Sequence, residues 1–391
     1  MKKASVDKTL LFAVIALIII GIIAVYSSTS VLAFIKSKYA SKGGLTYLQK
    51  HLFTLFLGSI LMIVFIYFPK EKLKYLAIPL LIISFILLVL VFSPMGVSAG
   101  GARRWIKLWP SVFQPSEVVK LAMVFFLAWF LSRPDYRKDK IVYFLIPVGL
   151  MGIFQVIFLK QPDFGAAISL GIITFIILLI AGISLKFITI TSLLALPIVF
   201  YLIKEPYRWK RITSFIDPWA DPQGSGFQLV QSLIALGSGG LTGKGLGEGK
   251  QKLAYLPEIH TDFIFAHIGE EMGFLGACTV VILFIILSIR GFKIAEKQRD
   301  LFYYLLASGI TIMISVQALI NFAVVTGLAP TKGLPLPFIS YGGSSLIVNM
   351  MAVGVLLNIS KISSQTLVDT LQLKEKQIRR PYIYYRGRKF S

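Results

Sequence analysis

Residues 9–33 read TLLFAVIALIIIGIIAVYSSTSVLA, a run without a single charge. Crossing a bilayer takes about 20 apolar residues in a helix, so this run is long enough. Lys2, Lys3 and Lys8 precede it. The apolar part of a cleaved signal peptide is shorter, and more runs of the same kind follow, so the segment reads as a signal anchor. Working outward, further spans fall at about 51–68, 75–93, 116–132, 141–158, 165–182, 187–203, 264–289, 302–327 and 342–360. They are near-continuous in apolar residues rather than alternating, which excludes a β-barrel. In lipid, only helices or closed barrels satisfy their own backbone groups. The fold class is therefore an all-α integral membrane protein, a bundle of about ten transmembrane helices. Residues 1–360 form one polytopic membrane domain, and residues 361–391 form a basic tail on the cytoplasmic side.

The chain has 391 residues, 56% of them hydrophobic, above the roughly 45–50% of soluble domains. Lys and Arg number 40 against 18 Asp and Glu, for a net charge of +22. Such a balance suits a nucleic-acid binder, but here the bases sit in loops between apolar runs, the positive-inside pattern. With the N-terminus inside, inner segments carry 23 Lys and Arg against 9 in the short outer segments. Both termini are thus expected in the cytoplasm. The one cysteine, Cys278, lies in an apolar run and reads as packing. It excludes an intramolecular disulfide and a Cys-based metal site.

The unusual sequence falls on the outer face. One long loop spans about 204–263, too long for a structureless connector. Within it, residues 237–250 read GSGGLTGKGLGEGK. The Walker pattern fails, because Ser238 stands where a glycine is needed and Gly245 follows Lys244. Two readings stay open. One is a flexible loop with positive φ at several glycines. The other is a set of backbone N–H groups approaching a diphosphate, helped by Lys244, Lys250 and Lys252.

Residues 257–273, PEIHTDFIFAHIGEEMG, carry acids into a span. Asp262 lies where the loop meets the membrane, half in water and half beside apolar wall. A carboxylate so placed suits proton abstraction; equally, Asp suits a helix N-cap. Glu270 and Glu271 read as structural ion pairs with a base on another helix, or as groups facing a cavity. Glu117 and Lys120 lie three apart, so they either bond across one turn or line the outer mouth of a cavity with Asp163. Arg103, Arg104 and Trp105 are headgroup anchors or ligands for the phosphates of a lipid-linked substrate. Asn321 and Asn349 read as interhelical hydrogen-bond groups. No His/Cys metal cluster, serine nucleophile elbow or nucleotide site is legible.

Several of these stretches together resemble the SEDS family of shape, elongation, division and sporulation proteins. They are DPWADPQGSGFQLVQ at 217–231, GSGG, QKLAYLPEIHTDFIFAHIGEEMG, and PTKGLPLPFISYGGSS at 330–345. RRWIKL at 103–108, FQPSE at 113–117 and KQPDFG at 160–165 add to the likeness, which covers nearly the whole chain in the family's order. The forms of the last two long motifs are closer to the division branch than to the elongation branch. Trp109 departs from the family, where glycine is more usual.

The resemblance implies a peptidoglycan glycosyltransferase that polymerises lipid II, with Asp262 as the catalytic carboxylate. It places Glu117, Lys120 and Asp163 in a central outer cavity. The implied partner is a class B penicillin-binding protein, among other division proteins at the septum of a bacterial plasma membrane. Arg103, Arg104, Lys244 and Lys252 are the candidate substrate-binding bases. Mg²⁺ or Mn²⁺ is an open possibility for the leaving diphosphate. The rival functions are a lipid II flippase and a non-catalytic scaffold for the crosslinking partner.

Overall fold

The computed structural model describes residues 5–39, 45–99, 101–108, 111–137, 140–251 and 259–378. Lys252 and Trp109 lie outside the described residues. Each of the ten sequence spans coincides with a helix. In chain order these are α1 (Lys8–Tyr39), α2 (Leu45–Tyr67), α3 (Ala77–Leu90, entered through a 3-10 turn at Lys70–Leu76), α4 (Pro115–Leu131), α5 (Val142–Lys160), α6 (Phe164–Ile180) and α7 (Leu185–Ile203). After two more helices, α8 (Pro206–Ile216) and α9 (Phe227–Ser238), come α10 (Ile264–Glu296), α11 (Leu301–Val325) and α12 (Gly343–Ile378). Among the described residues, seven segments are long and apolar enough to cross a membrane. Helices α4 and α6, of 17 residues each, stand at the short limit of about 17 for a span.

The structure adds elements inside the loops. The long loop expected on the outer face folds into α8 and α9, and α9 docks on the neighbouring bundle through Ser232, whose hydroxyl donates to the Val325 carbonyl at 2.8 Å. The loop after α3 is a three-stranded antiparallel sheet of β1 (Gly96–Ala99), β2 (Ala102–Leu108) and β3 (Ser111–Phe113). Gly96 pairs with Ile106 and Val97 with Trp105, and a bulge then shifts the register so that Ser98 meets Arg103. The tail continues α12 without a break as far as Ile378.

Polar contacts sort the loops into two ends. Arg290 bonds Asp7, the Asp7 N–H donates to the Ser360 hydroxyl at 3.1 Å, and Lys74 pairs with Asp300 at 2.9 Å. Tyr136 donates to the Ala181 carbonyl at 2.9 Å. All of these residues lie in or beside segments that the charge count groups as inner. The segments grouped as outer meet at the opposite end. The centre of the bundle is α4, buried along nearly its whole length, packed against α11, α3 and α6.

Candidate functional site

The end that the charge count groups as outer, called the outer end for that reason, is organised around the loop between α11 and α12, PTKGLPLPFISYGG. Three prolines, Pro330, Pro335 and Pro337, deny this stretch a helix, so its carbonyls need side-chain donors. Gln317 of α11 donates to the Pro335 carbonyl at 3.1 Å, and Asn321, one turn on, donates to that of Leu334 at 2.8 Å. Arg211 of α8 donates to the Thr331 carbonyl at 3.0 Å. Phe338 adopts φ 65°, a left-handed conformation that costs about 1–3 kcal/mol in a non-glycine residue. The Ser340 hydroxyl, which accepts from Leu336 N–H at 2.8 Å and donates to the Thr261 carbonyl at 2.6 Å, holds that turn.

Asp262 stands against this loop. The Asn321 amide also donates to the Asp262 backbone carbonyl, at 2.8 Å. One Asp262 carboxylate oxygen lies 3.1 Å from the point where a Cβ on Gly333 would sit, and Arg104 Nη1 lies 3.7 Å from the same point. The two side chains therefore flank one glycine, and any larger residue there would press on both. The N-cap position of α10 falls to Phe263 rather than to Asp262. Lys332 is next to Gly333; burial pushes its ammonium below the usual lysine range.

Arg104 also faces Asp163, 3.8 Å away, and stacks on Trp105. Asp163 caps α6, accepting from Ala166 N–H at 3.1 Å, and takes the Gln114 amide at 3.1 Å. Arg103 goes elsewhere: it donates to the Ser93 carbonyl at the end of α3. Neighbours on a strand point to opposite faces, so β2 separates the arginine pair and only Arg104 joins Asp163.

Glu117 and Lys120 do bond across one turn of α4, at 2.8 Å, and Lys120 also reaches Gln317 at 3.0 Å. They are 2% and 1% exposed, so each charge depends on the other. Gln317 links this pair to Pro335 and Ser345, while Gln114 N–H bonds Ser344 at 2.7 Å. Glu117, Lys120, Asp163, Arg104 and Asp262 thus share one hydrogen-bonded outer end.

Lys244 does not join them. It pairs with Glu270 at 2.9 Å, so the base that neutralises Glu270 comes from the glycine-rich loop and not from another helix. Asn349 differs from its sequence expectation too. Its amide donates to Ser345 of its own helix, at 2.8 Å to the carbonyl, rather than across helices. Gln317, Gln114 and Gly333 join the site without a strong sequence signal. Gln317 and Asn321 lie four apart on one helical face, the one available signal. Among the described residues, no group of three or more His, Cys, Asp or Glu side chains is arranged to hold a metal.

A family model described as cell cycle protein, covering FtsW, RodA and SpoVE, matches residues 8–365. The probable peptidoglycan glycosyltransferase FtsW of Trichlorobacter lovleyi is 45% identical over 369 residues, 92% of this chain and 94% of its own. That of Geobacter sp. is 44% identical, over 90% and 96% of the two chains. Stage V sporulation protein E of Bacillus subtilis is 41% identical, over 93% and 99%. Among solved structures, a chain of a peptidoglycan synthase complex that coordinates polymerization and crosslinking superposes with a TM-score of 0.74 at 31% identity, covering 92% of this chain and 99% of that one. The rod shape determining protein RodA of Thermus thermophilus gives 0.67 at 27% identity, over 91% and 96%.

Proposed function

The chain belongs to the cell cycle protein family of FtsW, RodA and SpoVE, and on that premise we propose how its outer end does chemistry. It is a multi-pass membrane peptidoglycan glycosyltransferase. The reaction joins the 4-hydroxyl of an acceptor sugar to the anomeric carbon of a lipid-linked donor, lipid II. The O4–C1 bond forms as the C1–O bond to the diphosphate breaks, and the electron pair leaves with the diphosphate. Asp262 takes the hydroxyl proton. Attack from the face opposite the diphosphate turns an α-linked donor into a β linkage. No nucleotide is consumed, because the diphosphate ester is already activated.

The observation that carries this reading is the placement of Asp262. Asp262 is part-exposed at the outer end of the bundle, its carboxylate and the guanidinium of Arg104 both flank Gly333, and its own peptide is held by Asn321. A base needs access to the substrate proton and a fixed position, and a cation close by suits the departing diphosphate. Glu117, Lys120 and Asp163 shape the wall behind it.

Mg²⁺ or Mn²⁺ is the alternative carrier of the leaving charge. The described carboxylates suit it poorly, since Asp163 is already engaged by Gln114, Ala166 and Arg104. Full polymerisation in EDTA is the expected result; loss restored by Mg²⁺ would require the metal. The flippase reading needs a free proton-coupling acid at depth, and Glu270 and Glu271 are both bonded to a loop. A scaffold would have no use for a catalytic Asp262.

The partner inferred is a class B penicillin-binding protein, by analogy with the complex that couples polymerization to crosslinking. The site of action inferred is the division septum, with both termini cytoplasmic. The deciding experiment gives purified protein, its partner and labelled lipid II, with crosslinking blocked by penicillin. Asp262→Asn keeps the fold and removes the base, so glycan synthesis is expected to fall by about 10²–10⁴-fold. Equal polymer from variant and wild type, at equal expression, would overturn the assignment.

A further inference from the structure

Helix α10 is two helices set end to end. It breaks at Gly273, with φ 68° and ψ −168°. In a continuous helix the carbonyls of Glu270 and Glu271 would receive the N–H groups of Phe274 and Leu275. Here those N–H groups donate instead to the carbonyls of Gly240 and Leu241, at 2.9 and 3.1 Å. The Glu270 and Glu271 carbonyls accept from Lys244 and Gly245 N–H, at 3.0 and 3.1 Å. Two helical bonds are thus exchanged for four bonds to the glycine-rich loop, which is spliced into the break. The approach leaves no room for side chains. A Cβ on Gly243 would lie 2.2 Å from the Glu271 carbonyl oxygen, one on Gly273 would lie 2.3 Å from Gly243 N, and both glycines have positive φ.

The carboxylates repeat the arrangement. Glu270 Oε1 accepts from Lys244 Nζ and from Lys250 N–H, each at 2.9 Å, and Oε2 accepts from Gln251 N–H at 3.2 Å. Glu271 accepts from the Ser27 hydroxyl of α1 at 2.7 Å and from Gly249 N–H at 3.4 Å, with His267 Nε2 at 3.6 Å. Glu270 is 0% exposed and Glu271 3%, and buried carboxylates are costly without such partners. The splice therefore holds the loop to the helix and the helix to α1.

The outer half of α10 starts two residues after Asp262. A short helix free at its inner end can slide or turn, and its outer end moves with it. We propose that Lys244, Glu270 and Glu271 are positioning residues for Asp262, and that Lys244 serves this half-helix rather than the substrate diphosphate. The proposal rests on Asp262 being the base. Glu270 lies eight residues further on, about 12 Å along the axis, which keeps all three clear of the reacting atoms. Misplacing a catalytic group by about 1 Å costs on the order of 10²-fold in rate.

The test is steady-state polymerisation of lipid II by the full-length protein with its partner. In Lys244→Met, kcat is expected to fall roughly ten- to hundredfold with KM little changed. Lys244→Arg keeps the charge and should recover most of kcat. A raised KM at unchanged kcat would put Lys244 on the substrate and overturn the proposal, as would wild-type values of both. If Lys244→Met gives no monodisperse protein, Ser27→Ala, which releases Glu271 from α1, is read in the same way: kcat falls at constant KM, or the proposal fails. Asp262→Asn runs in parallel. Wild-type polymer from it would defeat the base assignment whatever Lys244→Met does; an inactive Asp262→Asn beside a wild-type kcat in Lys244→Met would defeat the positioning role alone.

Discussion

Replacing Gly273 by alanine tests the splice as a source of stability. The structure leaves an alanine there two outcomes. If the splice stays, a β-carbon sits at φ 68°, ψ −168°, 2.3 Å from Gly243 N and 2.5 Å from the Leu241 carbonyl oxygen. The backbone strain costs about 1–3 kcal/mol, and relieving the overlap costs about 1–3 more. If the splice opens, α10 can straighten and recover its two helical bonds, with about 1 kcal/mol of helix propensity. It then loses four loop bonds, and the N–H donors of Gly249, Lys250 and Gln251 leave Glu270 and Glu271. A buried acceptor stripped of its partner costs roughly 1–3 kcal/mol, more when charged. Either way the loss is at least about 2 kcal/mol, and roughly 2–6 kcal/mol if the splice stays. Thermal unfolding of the full-length protein in mild detergent reads it, with Gly149→Ala as control. Gly149 lies inside α5, where an added Cβ meets nothing within 4 Å, so that change should be neutral or stabilising by up to about 1 kcal/mol. Equal melting temperatures for the two variants would refute the argument that the loop is built into the helix.

Two further perturbations follow from single contacts. Lys120→Met strands the Glu117 carboxylate at 2% exposure, where breaking a buried pair costs about 3–5 kcal/mol; adding Glu117→Gln should return much of that in the same melting assay, and a double variant no better than the single would contradict the pairing. At the inner end, burial raises the pKa of Asp7, but the Arg290 hydrogen bond, Leu10 N–H and the charges of Arg290 and Lys297 outweigh it, leaving the carboxyl below the usual 3.8. A depressed pKa stabilises fully above the unfolded value and is lost as pH falls through the folded one, so wild type should lose melting temperature below about pH 4 more steeply than Asp7→Asn, and equal acid slopes would refute the linkage.

The spans were legible because lipid imposes one rule on every residue between the loops. Residues 9–33 have no soluble alternative, and the uneven Lys and Arg loops say which ends go together, as Asp7, Arg290 and Ser360 do in three dimensions. Asp262 was legible through its motif and its place at a boundary. The sheet was not: RRWIKL lacks a strand's alternation, with Arg103 beside Arg104 and Trp105 beside Ile106, and the two arginines read as one basic unit until β2 sends them to different faces. The break in α10 was also hidden. Residues 264–289 are apolar enough to run straight through, and Gly273 costs an ordinary helix only about 1 kcal/mol.

The glycine-rich loop shows why such ambiguities persist. Glycines at positive φ present successive N–H groups in one direction, and that array accepts any anion. A diphosphate from solvent and a carboxylate from the same chain satisfy it equally, so GSGGLTGKGLGEGK alone cannot name its ligand. What decides is whether the chain holds anions that would otherwise be stranded. Glu270 and Glu271 are acids inside an apolar span, and acids at that depth need partners. Lys244, Lys250 and Gln251 meet Glu270, and Gly249 meets Glu271. These donors of the loop serve internal carboxylates, whereas Arg104 and Lys332 are bases beside Gly333, on the Asp262 side of the site.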